Sequence, residues 1–285
     1  MALESLPMAS GRWTTHRASS AALLGTLLCL PGAMAAGPPP AACNKPVYLT
    51  VDTGHMGVAD LFAEVLQRHQ VKVTFFLANE TTLTGGTSLD EQWAPWWRTR
   101  AAEGHAFASH TWDHGYWRGD LPGGKFRIRQ TFGPNANQTE TWTAQRYCDE
   151  LQRPAQRLKA MAGTDMLPLF RAPGGKISPA LLAAAQQCGY RHVGWSEAGF
   201  LGDELPSDRY PNAQLLAKAL RDIRPGDILL AHLGIWSRKD PWAPAALEPL
   251  VLGLKARGFC FATLSQHPAY VAQRAPKPVT PVNRP

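Results

Sequence analysis

Five side chains able to do chemistry stand where short apolar runs end. Asp52 closes "VYLTVD", His110 and His114 follow "HAFAS", Arg171 follows "LPLF", and His232 follows "ILLA". A carboxylate can act as a general base and an imidazole as a general acid. An arginine beside that carboxylate would keep it ionised and aimed. His110 and His114 have H-x-x-x-H spacing; in one helical turn both imidazoles would lie on one face and share a metal. Each residue alone is ordinary. Their convergence would not be, and convergence depends on the fold.

The elements that must position them alternate. Val47–Val51 reads as a strand, and Val58–His69 as an amphipathic helix through Val58, Leu61, Phe62, Val65 and Leu66. "VKVTFFLA" and "HAFASH" are strands flanking a helix from Trp93 to Glu103. The rhythm resumes with a helix over Gln145–Met161, a strand at Leu167–Arg171, a helix at Pro179–Cys188 and a strand at "YRHVGW". A helix over Ala213–Ile223, the strand "ILLAHL", a helix over Ala245–Arg257 and the strand "FCFATL" complete it. About seven β-α units predict a parallel sheet, and their number and length favour an α/β barrel over an open sheet. In such a barrel the strand C-termini share one face, so the five residues would meet at one mouth, with Asp52 and His232 on opposite walls. Gly115–Thr143 breaks the rhythm and reads as a long polar loop, with Arg127 and Arg129 placed to meet an anionic group.

The ends read differently. Residues 1–35 have a basic start (Arg12, Arg17), a short apolar run "AALLGTLLCL" and the small-x-small site "AMA", as in a secretory signal. A Pro-rich linker, 36–46, a domain over 47–272 and a Pro-rich tail, 273–285, would follow. Four cysteines would remain after export to the periplasm or the medium: Cys43, Cys148, Cys188 and Cys260. Two disulfides are expected, in any of three pairings. The formal charge of +7 suits peripheral contact with an anionic cell wall or membrane surface. No basic stripe with interleaved aromatics points to nucleic acid. The chain is expected to act as a monomer.

In order, the chain carries "TVDTG", "SHTWDH", "RAPGG" and "LLAHLG". From about Val47 to Tyr270 it resembles the polysaccharide deacetylase family, the NodB-like carbohydrate esterases, whose fold is a distorted (β/α)7-type barrel. The resemblance implies hydrolysis of an N-acyl group, such as acetyl, from an amino sugar of a peptidoglycan-like or chitin-like carbohydrate, with a divalent metal, zinc. By position, Asp52 matches the catalytic base, Arg171 the arginine that holds it and His232 the general acid. His110 and His114 match the metal-binding histidines. Pro173 and Gly174 would line the pocket floor, Leu230 the acyl wall, and Trp195 would meet the sugar; backbone N–H groups near Gly54 would complete an oxyanion site.

Two positions depart from that pattern. Thr53 stands where the family has a third metal ligand, an aspartate, and a hydroxyl is a far weaker ligand. Two histidines with waters, or a rotated Asp52, would fill the gap. The fourth motif is also altered: "GWSEAGFLGDE" offers Glu197 or Asp203 to orient His232. The D-T pair also resembles deformylases acting on a lipid-linked amino sugar. A carbohydrate-binding relic without catalysis is a third reading, opposed by the retention of Asp52, Arg171 and His232.

Overall fold

The computed structural model describes residues 43–271. The signal segment, the linker before Cys43 and the tail lie outside the described residues. Seven strands form one parallel sheet: β1 (Pro46–Asp52), β2 (Thr74–Leu77), β3 (Ala106–Ser109), β7 (Leu169–Phe170), β8 (Arg191–His192), β9 (Ile228–His232) and β10 (Cys260–Phe261). Their order is β10-β1-β2-β3-β7-β8, with β9 also paired to β1. The helices α1 (Ala59–Arg68), α2 (Ala94–Ala102), α3 (Ala144–Ala162), α4 (Pro179–Gln187), α5 (Asn212–Asp222) and α6 (Leu247–Ala256) lie between them in the chain. The sheet curls into a partial barrel. Its described ladder does not run from β8 to β9; beyond β8, Ser196 and Phe200 bridge to β9 instead.

The two-residue side-chain period of a strand explains what faces the interior. On β1, Val47, Leu49 and Val51 pack outward in the core shared with α1 and α6. Tyr48 points the other way, into a smaller interior cluster with Phe76, Ala108, Leu169, Val193 and Leu264. Thr50 and Asp52 share its parity and are buried. The strands are apolar on both faces because both are covered. Helix signals are local: Thr143 caps α3 by accepting from the Arg146 N–H at 3.1 Å, and left-handed Gly163 ends it. Ser178 likewise caps α4, with Pro179 at its first position.

Residues 116–143 are not the long loop that the sequence suggested. They form a three-stranded antiparallel sheet, β4 (Tyr116–Leu121), β5 (Lys125–Arg129) and β6 (Thr139–Thr143). Alternation on β5 buries Phe126 and Ile128, which pack with Trp142 against Tyr147, Leu151 and Phe170. Arg127 and Arg129 take the other, exposed face of β5. Two disulfides are formed, Cys43–Cys260 and Cys148–Cys188. The first joins the approach to β1 with β10, and the second joins α3 to the end of α4.

Candidate active site

β1 ends at Asp52 beside β2 and β9, in register with Phe76 and His232. The acid and the histidine are therefore neighbours on adjacent strands, not on opposite walls. Gly54 makes the turn after β1 at φ 56°, and a Cβ there would stand 2.0 Å from the Gly234 carbonyl oxygen, so the close approach of the two loops requires glycine.

Arg171, just past β7, crosses the barrel interior and is wholly buried. Its Nη1 donates to Asp52 Oδ1 at 2.7 Å. Nη2 donates to Thr50 Oγ1 at 2.7 Å and to the Gly194 carbonyl at 3.2 Å, and Nε donates to the Val193 carbonyl at 3.3 Å. Phe76 packs under the guanidinium, 4.2 Å from its ring centroid. Every direction in which the cation could turn is taken. Burial alone would raise the Asp52 pKa, but Arg171, then His110 and His232, outweigh it and hold the carboxyl below its ordinary value.

Oδ1 of Asp52 thus belongs to the arginine, and Oδ2 lies 3.3 Å from His110 Nε2 and 3.9 Å from His232 Nε2. Asp203 decides the orientation of His232. One of its oxygens accepts from the His232 backbone N–H at 2.6 Å, and the other pairs with Nδ1 at 3.0 Å. Glu197, the other sequence candidate, is exposed in a short 3-10 turn. Burial would lower the His232 pKa; the charge and hydrogen bond of Asp203, then Asp52 and Glu204, reverse this and raise it to about 9. The imidazole is therefore a proton donor at neutral pH.

His110 and His114 do not share a helical turn. The segment is an irregular loop in which Thr111 (φ 62°) and His114 (φ 50°) adopt left-handed backbone, held by the Thr111 hydroxyl accepting from the Gly115 N–H. Non-glycine residues in that region mark a conformation imposed by its surroundings. The rings meet with centroids 4.8 Å apart. His110 Nδ1 can only donate to the Arg171 carbonyl, at 2.9 Å. The Thr131 hydroxyl donates to the His114 carbonyl and so accepts from His114 Nδ1, at 3.2 Å. Burial pushes both pKa values down to about 4. Both rings are then neutral, with the proton on Nδ1 and a lone pair on Nε2. His110 Nε2 consequently faces Asp52 Oδ2 as one acceptor against another.

Asp52, His110, His114 and His232 line a cavity of about 300 Å³ with Glu80, Tyr116, Thr131, Phe132, Gly174, Trp195, Glu204, Leu230 and Trp236. Gly174, Leu230 and Trp195 are among its lining residues. Pro173 is buried but is not among the lining residues. Trp236 is exposed at the mouth, whereas Trp242 is core. The backbone donors after β1 are not available to an oxyanion. The Thr53 N–H bonds the Phe76 carbonyl, the His55 N–H bonds the Gly234 carbonyl, and the Gly54 N–H donates to Glu80 Oε1 at 2.9 Å.

Glu80 is the residue that sequence reasoning passed over. It follows β2 in "LANE", is 6% exposed, and accepts on Oε1 from the Thr53 hydroxyl as well as from Gly54. Burial raises its pKa, with His110 and these two bonds opposing. Among the described residues no three His, Cys, Asp or Glu side chains are gathered closely enough to hold a metal ion.

The polysaccharide deacetylase family model matches residues 40–193. A chitooligosaccharide deacetylase of Azorhizobium caulinodans is 26% identical over 228 residues, spanning 76% of this chain and 92% of the relative. A family 4 acetyl xylan esterase from Clostridium thermocellum, in complex with a cobalt ion, superposes with a TM-score of 0.59 at 22% identity, covering 78% of this chain and 89% of that one. A CE4 family pseudoenzyme from Bacillus anthracis gives a TM-score of 0.56 at 18% identity, over 78% of this chain and 65% of that one. The structural likenesses show the fold.

Proposed function

The chain belongs to the polysaccharide deacetylase family of hydrolases, and on that premise we propose that it removes the N-acetyl group from an amino sugar of a cell-envelope polysaccharide or oligosaccharide. The observation that carries this is the division of labour on Asp52, with Oδ1 held by Arg171 and Oδ2 left among the cavity imidazoles.

Asp52, ionised at neutral pH, takes a proton from the attacking water through Oδ2. Arg171 keeps that carboxylate charged and still. His232, protonated and fixed by Asp203, gives its proton to the departing amine nitrogen. Acetate and the free amino sugar leave. Leu230 and Gly174 bound the space for a small acyl group, and Trp195 and Trp236 offer faces on which a sugar ring can stack.

A divalent cation, zinc being the expected one, is implied by the family, although the described residues gather no three close donors for it. His110 Nε2 and Asp52 Oδ2 are two acceptors 3.3 Å apart with no proton between them. His110 and His114 each have Nδ1 fixed by a hydrogen bond, the usual support a metal-ligating histidine would need. His110 and His114 would hold the ion, which when bound makes a nucleophile of water at neutral pH and polarises the carbonyl.

We place the reaction outside the cytoplasm, a reading supported by the two disulfides. The test is acetate release from N-acetylated chitooligosaccharides and from peptidoglycan, with chelator-treated protein before and after addition of zinc or cobalt. Release restored by the metal is expected. Its absence on both substrates, with metal bound, would overturn the assignment.

A further inference from the structure

The antiparallel insert separates its charges by strand parity. In an antiparallel pair, register partners put their side chains on the same face. Phe126 and Ile128 on β5 pair with Trp142 and Glu140 on β6 and with Asp120 and Trp117 on β4, and this face packs inward. Both acids of the three strands lie on it. Asp120 accepts from Trp117 Nε1 at 2.9 Å and from the Ser178 hydroxyl at 2.7 Å. Glu140 accepts from Trp142 Nε1, Gln130 and Asn135.

Lys125, Arg127 and Arg129 take the other face and are exposed. Their register partners are Thr143, Thr141 and Thr139 on β6, and Leu121, Gly119 and Tyr116 on β4. None of these is an acid, and none of the three cations forms a salt bridge among the described residues. Three unpaired cations therefore stand in a row on the central strand, about 7 Å apart.

The row leads to the cavity. Arg129 is the register partner of Tyr116, which lines it, and Arg118, at the bulge of β4, lies over the Tyr116 ring, 5.4 Å from its centroid. The cavity itself has the opposite character: Asp52, Glu80 and Glu204 line it, and no Lys or Arg does. A carboxylate on a bound chain would be repelled from the cavity and drawn onto the insert.

We propose that the outer face of the insert is a docking surface for an acidic glycan strand, which seats its carboxylates on Lys125, Arg127 and Arg129 and presents an uncharged N-acetylated sugar to the cavity. The proposal rests on the deacetylase reading above. It narrows the substrate to glycans in which acidic and neutral N-acetylated sugars share one strand. Charge complementarity and continuity with the cavity favour this occupant. A membrane surface is a poorer match, because none of the large apolar side chains exposed among the described residues lies on β4, β5 or β6 to enter a lipid layer.

The experiment compares full-length wild type with the triple variant Lys125→Ser, Arg127→Ser, Arg129→Ser, both supplied with zinc or cobalt. Melting temperatures check the fold; where the triple variant melts lower, Arg127→Gln with Arg129→Gln replaces it. Acetate release and binding are measured on peptide-free peptidoglycan strands, which carry a lactyl carboxylate on alternate sugars, and on neutral N-acetylchitohexaose. Binding is also measured on phosphatidylglycerol vesicles. On the acidic strands the variant should bind about 10-fold more weakly, with KM raised to match, the sum of three exposed ion pairs each worth little alone. On chitohexaose it should stay within twofold of wild type. Raising the salt from about 50 mM to about 500 mM should close the gap. Unchanged binding and KM on the acidic strands, or an equal loss on both glycans, would overturn the proposal. So would a loss confined to the vesicles, which would assign the face to a membrane. Acetate release from neither glycan by wild type would reject the deacetylase reading, and the binding comparison alone would then decide for or against the face.

Discussion

Asp52 and His232 are register partners on adjacent parallel strands, and their facing atoms, Oδ2 and Nε2, stand 3.9 Å apart. A proton taken by one and a proton given by the other would therefore act within one small volume. Each has its own fixed partner, Arg171 for the acid and Asp203 for the imidazole.

Asp52→Asn should lower the turnover for acetate release by about 10²- to 10⁴-fold, the usual share of a general base. It should also destabilise the fold, because the guanidinium stays buried with its charge uncompensated; removing one partner of a buried pair costs about 3–5 kcal/mol. Assay and denaturant unfolding on the same preparation separate the two effects. Turnover near wild type would show that Asp52 is not the base.

Asp203→Asn should bring the His232 pKa down from about 9. The activity that requires its proton should then fail at lower pH, shifting the alkaline limb of the pH–rate profile toward acid. Stability carries the same signature. The folded value lies above the ordinary 6.5, so the stabilisation is complete below about pH 6.5 and is lost as pH rises through about 9. Unfolding between pH 6 and pH 10 should show this loss in wild type and not in Asp203→Asn. Superimposable profiles would mean that Asp203 does not set the protonation of His232.

Gly174→Ala probes the cavity floor. The new Cβ would lie 2.5 Å from a Tyr116 ring carbon, on a backbone at φ 59°. Left-handed backbone costs a residue with a Cβ about 1–2 kcal/mol. Displacement of Tyr116 into the cavity should raise KM for an oligosaccharide more than it lowers kcat. An unchanged KM in a well-folded variant would remove Tyr116 and Gly174 from the substrate surface.

Thiol titration of the denatured, unreduced mature protein should find none of Cys43, Cys148, Cys188 and Cys260 free. Replacing Cys148 and Cys188 together by serine should cost about 2–4 kcal/mol through loss of the cross-link between α3 and α4. A full complement of free thiols would contradict both pairings.

The barrel strands were legible because parallel strands buried on both faces read as apolar runs, and their ends marked Asp52, Arg171 and His232. The antiparallel insert was hidden by its polar outer face. Only one face is buried, so Phe126 and Ile128 alternate with charge, Trp142 stands between threonines, and the stretch reads as loop. The H-x-x-x-H spacing suggested a helical turn, but left-handed Thr111 and His114 bring the rings together by a path that spacing does not encode. Glu80 gave no signal, since its meaning depends on Thr53, 27 positions away. Asp203, 29 positions before His232, was likewise indistinguishable from Glu197 as its partner.

The Cys43–Cys260 bond fixes the entry to β1 at the end of the strand opposite Asp52. The segment after β10 stays at that same end. The Leu264 N–H bonds Thr74 at the start of β2, His267 packs on Tyr48, and the Ala269 carbonyl accepts from Arg191 at the start of β8. Cys43 and Val271, where the described chain starts and stops, therefore both belong to the floor of the barrel, away from the mouth. A solid support, an affinity handle or a carrier protein joined at either point would leave the mouth facing outward, so immobilised enzyme should keep its access to polymeric substrate.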